Sequence, residues 1–301
     1  MATILVGTDD GLLSFTSEGE QLPPQHRGRT VTAVAPEGPD VWTILEGREL
    51  WLATAATGTM RHVATVEGNL RANCLADTRA GSLVGTSEAN LLRVTEAGLE
   101  RVDSFEETDG RDDWYTPWGG PPDVRSITEG GAAVYVNVHV GGIVRTTDEG
   151  AGWEPTIDIH ADVHRVRATN GLVLAACALG LGVSEDRGAS WDMRTEGLHA
   201  KYCRGVAVCG DTVLLSASVG PYGGRSAVYR GRLDGGPLER CREGLPEWFG
   251  DNIDSACLDA TPDLAAFGTS DGRLFASAYE GSAWIEVDSG LTGVHCVLVV
   301  P

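Results

Sequence analysis

Lysine is almost absent from this sequence: Lys201 is the only one, so the other basic residues among the 23 are arginines. Against 43 acidic residues they leave a formal net charge of -20. Nucleic-acid phosphates and anionic membranes favour clustered basic side chains and are repelled by such a field, so neither is expected as a partner. Long hydrophobic runs are also missing. The opening MATILVGTDDGLLSF has no basic segment and turns polar after six residues, which argues against a signal peptide or a membrane span and makes the cytoplasm the expected compartment. Prolines are few, 13 against 40 glycines, a balance that points to many tight turns rather than disorder. The seven cysteines cannot all pair internally, and Cys74, Cys203, Cys257 and Cys296 each fall in a short apolar stretch. Reduced, structural thiols are expected.

What the sequence does contain is repetition. Thr146-Thr147-Asp148-Glu149-Gly150-Ala151-Gly152-Trp153 matches Ser184-Glu185-Asp186-Arg187-Gly188-Ala189-Ser190-Trp191. A third copy, Ser277 to Trp284, keeps the pattern but carries Tyr279 in place of aspartate. The pattern S/T-x-D-x-G-x-x-W describes a hairpin turn in which aspartate accepts backbone N–H groups, glycine takes a positive φ and tryptophan packs under the sheet. A second motif recurs at Val6-Gly7-Thr8, Val84-Gly85-Thr86 and Phe267-Gly268-Thr269, each between β-prone runs. It reads as the hairpin joining second and third strands of a blade.

These anchors align seven first strands whose second positions are Thr32, Arg71, Arg125, His164, Arg204, Asp254 and His295, spaced 39, 54, 39, 40, 50 and 41 residues apart. The residues after His295 and those before Thr32 together make one further repeat. The expected fold is therefore all-β: a single seven-bladed propeller over residues 1–301, with six or eight blades the alternatives, closed by N- and C-terminal strands sharing one blade.

In a four-stranded blade, the loop entering the first strand and the hairpin between the second and third lie on one face. The long spacings carry aromatic loops there, Asp112 to Trp118 and Leu245 to Asp251, and Gly220 to Arg225 fits a hairpin on the same side. Trp114, Trp118, Trp248 and Arg225 are thus rim candidates. The aligned second positions would form a polar ring at the channel mouth, where Arg71, Arg125 and Arg204 favour an anionic ligand. His139, His164, His199 and His295 share the face. No close His-x-His or carboxylate spacing supports a metal among them, so neither metal nor cofactor is expected.

The tryptophan turns resemble the Asp-box, or BNR, repeat. Through them the chain is similar, over nearly its whole length, to the Asp-box propeller superfamily, which includes sialidases, sortilin-type receptors and photosystem assembly-factor propellers, relatives of the WD40/YVTN type. Sialidases use three arginines, a tyrosine with a glutamate, and an aspartate acid/base; their Arg-Ile-Pro segment is absent here. The assembly-factor propellers use an arginine-bearing face to hold a protein partner. The resemblance implies a binding propeller for an anionic small molecule or an acidic protein segment. The alternatives are a sialidase-like hydrolase or lyase, with Asp254 or Asp113 as acid/base and Tyr202 or Tyr222 nearby, and a structural interaction scaffold.

Overall fold

In the computed structural model, which describes residues 2–301, the chain is an all-β seven-bladed propeller built from seven four-stranded antiparallel sheets. In chain order the first strands of the blades are Val31–Glu37, Ala72–Thr78, Val124–Gly130, Val163–Thr169, Tyr202–Cys209, Leu258–Ala260 and Val294–Val300. The seventh blade takes its first strand from the C-terminus and its other three, Thr3–Thr8, Gly11–Thr16 and Gln21–Gln25, from the N-terminus. Ile4 pairs with Val299 and Val6 with Val297, and this pairing closes the ring and removes two open strand edges. No helix among the described residues is long and apolar enough to cross a membrane.

The chain divides into two compact units. One comprises the residues up to Thr32, Ala176–Leu181 and Met193–Pro301; the other comprises Ala33–Ala175 and Gly182–Asp192. Apolar clusters of buried side chains fill both. In the first unit Phe249, Phe267, Phe275 and Trp284 meet as edge-to-face and stacked rings with centroids 4.9 to 5.6 Å apart. In the second, Phe105 takes the same place between Trp114 and Trp153. Burying each such ring contributes about 1.5–3 kcal/mol.

The repeated motifs fall where their chemistry needs them. All three tryptophan turns join third to fourth strands. Thr146 Oγ1 donates to Asp148 Oδ1 (2.7 Å), Gly152 N–H donates to the same oxygen (3.0 Å), and Gly150 N–H donates to Thr146 Oγ1 (3.0 Å). Asp186 repeats the set with Ser184 and Ser190, and these bonds lower its carboxyl to about 2. Both residues of the turn, Glu149 with Gly150 and Arg187 with Gly188, take positive φ. In the third copy Ser277 Oγ alone receives Gly281 N–H (3.1 Å), while Tyr279 points into solvent.

The Val-Gly-Thr motif does join second to third strands, and its threonine holds the turn: Thr8 Oγ1 donates to Gly11 O (2.9 Å) and receives Asp10 N–H (3.2 Å). Its glycine has a separate duty. A Cβ on Gly85 would run into Val124 and Cys74, one on Gly7 into Val31 and Cys296, and one on Gly268 into Val294. The missing side chain is the space into which the next first strand packs. All seven cysteines are free, six of them buried, and burial pushes the thiols of Cys209 and Cys241 up to about 11.

Two aligned first strands need correction. In the second blade Ala72 pairs with Thr86 and Cys74 with Gly85, leaving Asn73 as the bulged residue. In the third blade the bulged residue is Arg125 and in the seventh His295. Asn73, not Arg71, is therefore the counterpart of Arg125; Arg71 precedes the strand and donates its backbone N–H to Ser87 Oγ. In the sixth blade Ser255–Cys257 forms a 3-10 turn and the strand starts only at Leu258, so Asp254 is a loop residue. A short polar segment after a long aromatic loop has little periodicity to fix its register.

Candidate functional site

The polar positions are spread over several small constellations, each described within its own unit. Arg71 lies with its guanidinium against Gly47, and Asp113 is exposed at the end of a 3-10 turn. Arg204 is clamped to Asp254 and faces the Tyr202 ring at 5.7 Å. Burial opposes its charge, but Asp254 and Tyr202 outweigh that and hold the guanidinium above its usual value. With its carboxylate engaged by Arg204, Asp254 is poorly placed to shuttle protons. His295 Nε2 lies 2.7 Å from Asp9 Oδ1 on the exposed rim of the closing blade. Tyr222 is 97% exposed and is not among the residues lining the cleft described below.

In the second unit, the long loop before the third blade folds back on itself. Arg111 stacks over Trp114 (4.9 Å) and Phe105 (5.5 Å) and donates to Ala89 O (2.9 Å), so Trp114 seals the core rather than presenting a binding face. Trp118 is 67% exposed, with its ring centroid 5.2 Å from that of His139. His139, following the second strand of this blade, and His164, second residue of the next blade, are both buried. Asp162 stands between them: His139 Nε2 is 3.1 Å and His164 Nε2 3.7 Å from its Oδ1. Burial pushes the Asp162 carboxyl up, but contact with His139 and the charges of His164, His139 and Arg125 outweigh it, and the net direction is down.

In the first unit an open cleft of about 820 Å³ lies beside the loop that enters the fifth blade. Its wall is aromatic. His199 stacks parallel on Tyr229 (5.9 Å, 7°) and tilts against Trp248 (4.6 Å). His199 Nδ1 lies 2.6 Å from the Tyr229 hydroxyl, which also receives the backbone N–H of His199 (3.3 Å). The hydroxyl can donate to Nδ1 in the tautomer that carries the ring proton on Nε2. Arg240 lies over Trp248 at 4.1 Å and Arg225 approaches the same ring at 6.0 Å. Arg242 is exposed on the cleft rim, with Glu239 and Glu247 as its acidic members.

Burial pulls the His199 imidazole below its ordinary value; a bond to the Arg225 backbone opposes this, and the charges of Arg225 and Arg240 reinforce it. The neutral ring is the stable form at neutral pH, and the cations beside it remain available to a ligand.

The aromatic loop around Trp248 was legible from sequence; Tyr229, Arg240 and Arg242 were not. Tyr229 sits in a third strand as an ordinary β residue, and only the alternation Arg240-Cys241-Arg242, outward on either side of a buried cysteine, signals two exposed guanidinium groups.

No family model matches this sequence, and no curated protein matches it. Solved structures do match in fold. A computationally designed protein, Ika8, superposes with a TM-score of 0.61 at 14% identity, over 98% of this chain and 86% of that one. YCF48 bound to D1 peptide gives a TM-score of 0.55 at 14% identity, over 88% and 84%. An ancestral GH74 enzyme gives 0.63 at 14% identity over 85% of this chain, which spans only 38% of that larger one. At such identities the similarity is one of architecture, and it agrees with the strand pairing: the chain is built as a seven-bladed β-propeller of the kind seen in YCF48 and the GH74 enzyme.

Proposed function

We propose that this propeller is a protein-binding module of the Asp-box type that takes an acidic peptide segment into the cleft walled by His199, Tyr229 and Trp248. The observation that carries this reading is the cleft itself, which Arg240 and Arg242 line and whose tryptophan is approached by Arg240 and Arg225, in a chain with a net charge of -20. Guanidinium groups pair with carboxylates in bidentate fashion, and a half-buried indole supplies an apolar anchor beside them. YCF48, similar in architecture, is bound to a D1 peptide, and that supports a peptide as the ligand here. The three tryptophan turns, each between a third and a fourth strand, support the Asp-box affiliation.

The test is a fluorescence-polarisation screen of peptides rich in Asp and Glu against the same peptides carrying Asn and Gln. Binding is expected only for the acidic set, weakening with salt and falling about tenfold or more in Arg240→Glu and Trp248→Ala. Equal binding of both sets, or an unchanged affinity in Arg240→Glu, overturns the reading.

A further inference from the structure

The cluster around Asp162 lies in the other unit and has no part in the cleft. Its three donor atoms come from the turn after one blade's second strand and from the start of the next blade, and lie within 4.8 Å of one another. We propose that His139, Asp162 and His164 bind one divalent transition-metal ion, Zn2+ in the first place, through the two imidazole Nε2 atoms and a carboxylate oxygen, with a fourth position open to water or an anionic oxygen ligand.

Two of the three donor separations fit ligands arranged around one centre. At metal–ligand distances near 2.0–2.1 Å, tetrahedral ligand atoms lie about 3.3 Å apart. The two separations from Asp162 Oδ1, 3.1 and 3.7 Å, bracket that value. Yet Asp162 Oδ1, buried itself, accepts no hydrogen bond of good geometry from either ring. The His139 ring also leaves its buried Nδ1 without a hydrogen-bond partner among the described residues while turning Nε2 toward Asp162. Ligation through Nε2 would leave the ring proton on Nδ1, where a water is needed to accept it.

Charge and softness agree. Two neutral imidazoles and one carboxylate are a donor set for zinc and its neighbours, not for calcium or magnesium, which take mostly oxygen. The backbone is held in uncommon conformations at the same place: Asp162 has φ 49° and Val140, next to His139, φ 53°. From outside the trio, the charge of Arg125 also acts on the Asp162 carboxylate. It opposes a bound ion, so affinity is expected to rise when it is removed.

The experiment uses the full chain without a polyhistidine tag. Calorimetric titration with Zn2+ is expected to show one equivalent bound, with no comparable heat from Ca2+ or Mg2+. Co2+ in its place is expected to give visible bands of a four- or five-coordinate ion without thiolate charge-transfer absorption, a readout that needs no variant. Asp162→Asn and His164→Gln, checked for folding by circular dichroism, are expected to lose more than the about 10–100-fold that removal of a supporting residue costs; His62→Gln, in the same unit, is expected to bind as the parent does. Absence of stoichiometric binding, a thiolate band, or equal affinity in Asp162→Asn and His164→Gln overturns the proposal.

Discussion

His139 and His199 each lie against a tryptophan, Trp118 at 5.2 Å and Trp248 at 4.6 Å, and both occupy loop regions beside first strands. Their third neighbours differ. Around His139 the neighbours are a carboxylate and a second imidazole; around His199 they are a tyrosine hydroxyl and guanidinium groups. One setting concentrates lone pairs and negative charge, which suits a cation. The other fills the lone pair of Nδ1 from a hydroxyl and surrounds the ring with positive charge, which suits an anion. The same aromatic pair thus takes its chemistry from one or two residues placed beside it.

The largest break in this comparison is expected from the backbone of the cleft. Gly197 has φ 86°, and a Cβ there would run into the Leu238 carbonyl. Its neighbour Glu196 receives Leu238 N–H (2.9 Å), which ties the loop to the outer strand. Gly197→Ala combines the positive-φ penalty with a backbone clash and should cost about 3 kcal/mol, lowering Tm by about 5 °C. Peptide binding should suffer with it while Zn2+ binding at His139 persists. A variant with parental Tm would show that the cleft wall is not anchored in this way.

A smaller and cleaner break is Tyr229→Phe. The ring stays buried and stacked, and only the hydroxyl that serves His199 Nδ1 and the His199 N–H is lost. Leaving a partly buried acceptor unpaired costs about 1–2 kcal/mol, to be read from chemical denaturation. An unchanged midpoint would mean that water replaces the hydroxyl freely and that the two histidine settings differ less than their contacts suggest.

How much of this was legible beforehand follows from the range of each interaction. The turns are local: Thr146, Asp148 and Gly150 sit within four residues, so their pattern announced hairpins, blades and ring closure. Register was legible where apolar alternation is strong, as at Val124 and Val294, and slipped at Arg71 and Asp254, where a loop residue imitates a strand start. The sites depend on long-range convergence. Asp162 and His164 are two apart in sequence, but only folding brings His139 to them, and nothing in the spacing of Arg240 from His199 shows that they share Trp248. Trp114 and Trp118 lie in one loop and look alike in sequence; Arg111 draws the first into the core and leaves the second exposed.

The smallest expected effect tests the electrostatic half of the comparison directly. His199 has its pKa lowered in the folded chain, first by burial and then by Arg225 and Arg240. Because the folded value lies below the unfolded one of about 6.5, its contribution to stability is complete above that pH. It is lost as pH falls through the folded pKa, where the ring must charge next to two guanidinium groups. Following the His199 ring protons by NMR should show titration below the ordinary imidazole value of about 6.5, and Arg240→Ala should move the His199 midpoint upward by removing a nearby cation. A downward or absent shift in Arg240→Ala would remove Arg240 as a cause and leave burial and Arg225. The cleft would then lack the Arg240 share of the positive field that sets it apart from the cluster at Asp162, and the contrast between the two sites would rest more on packing.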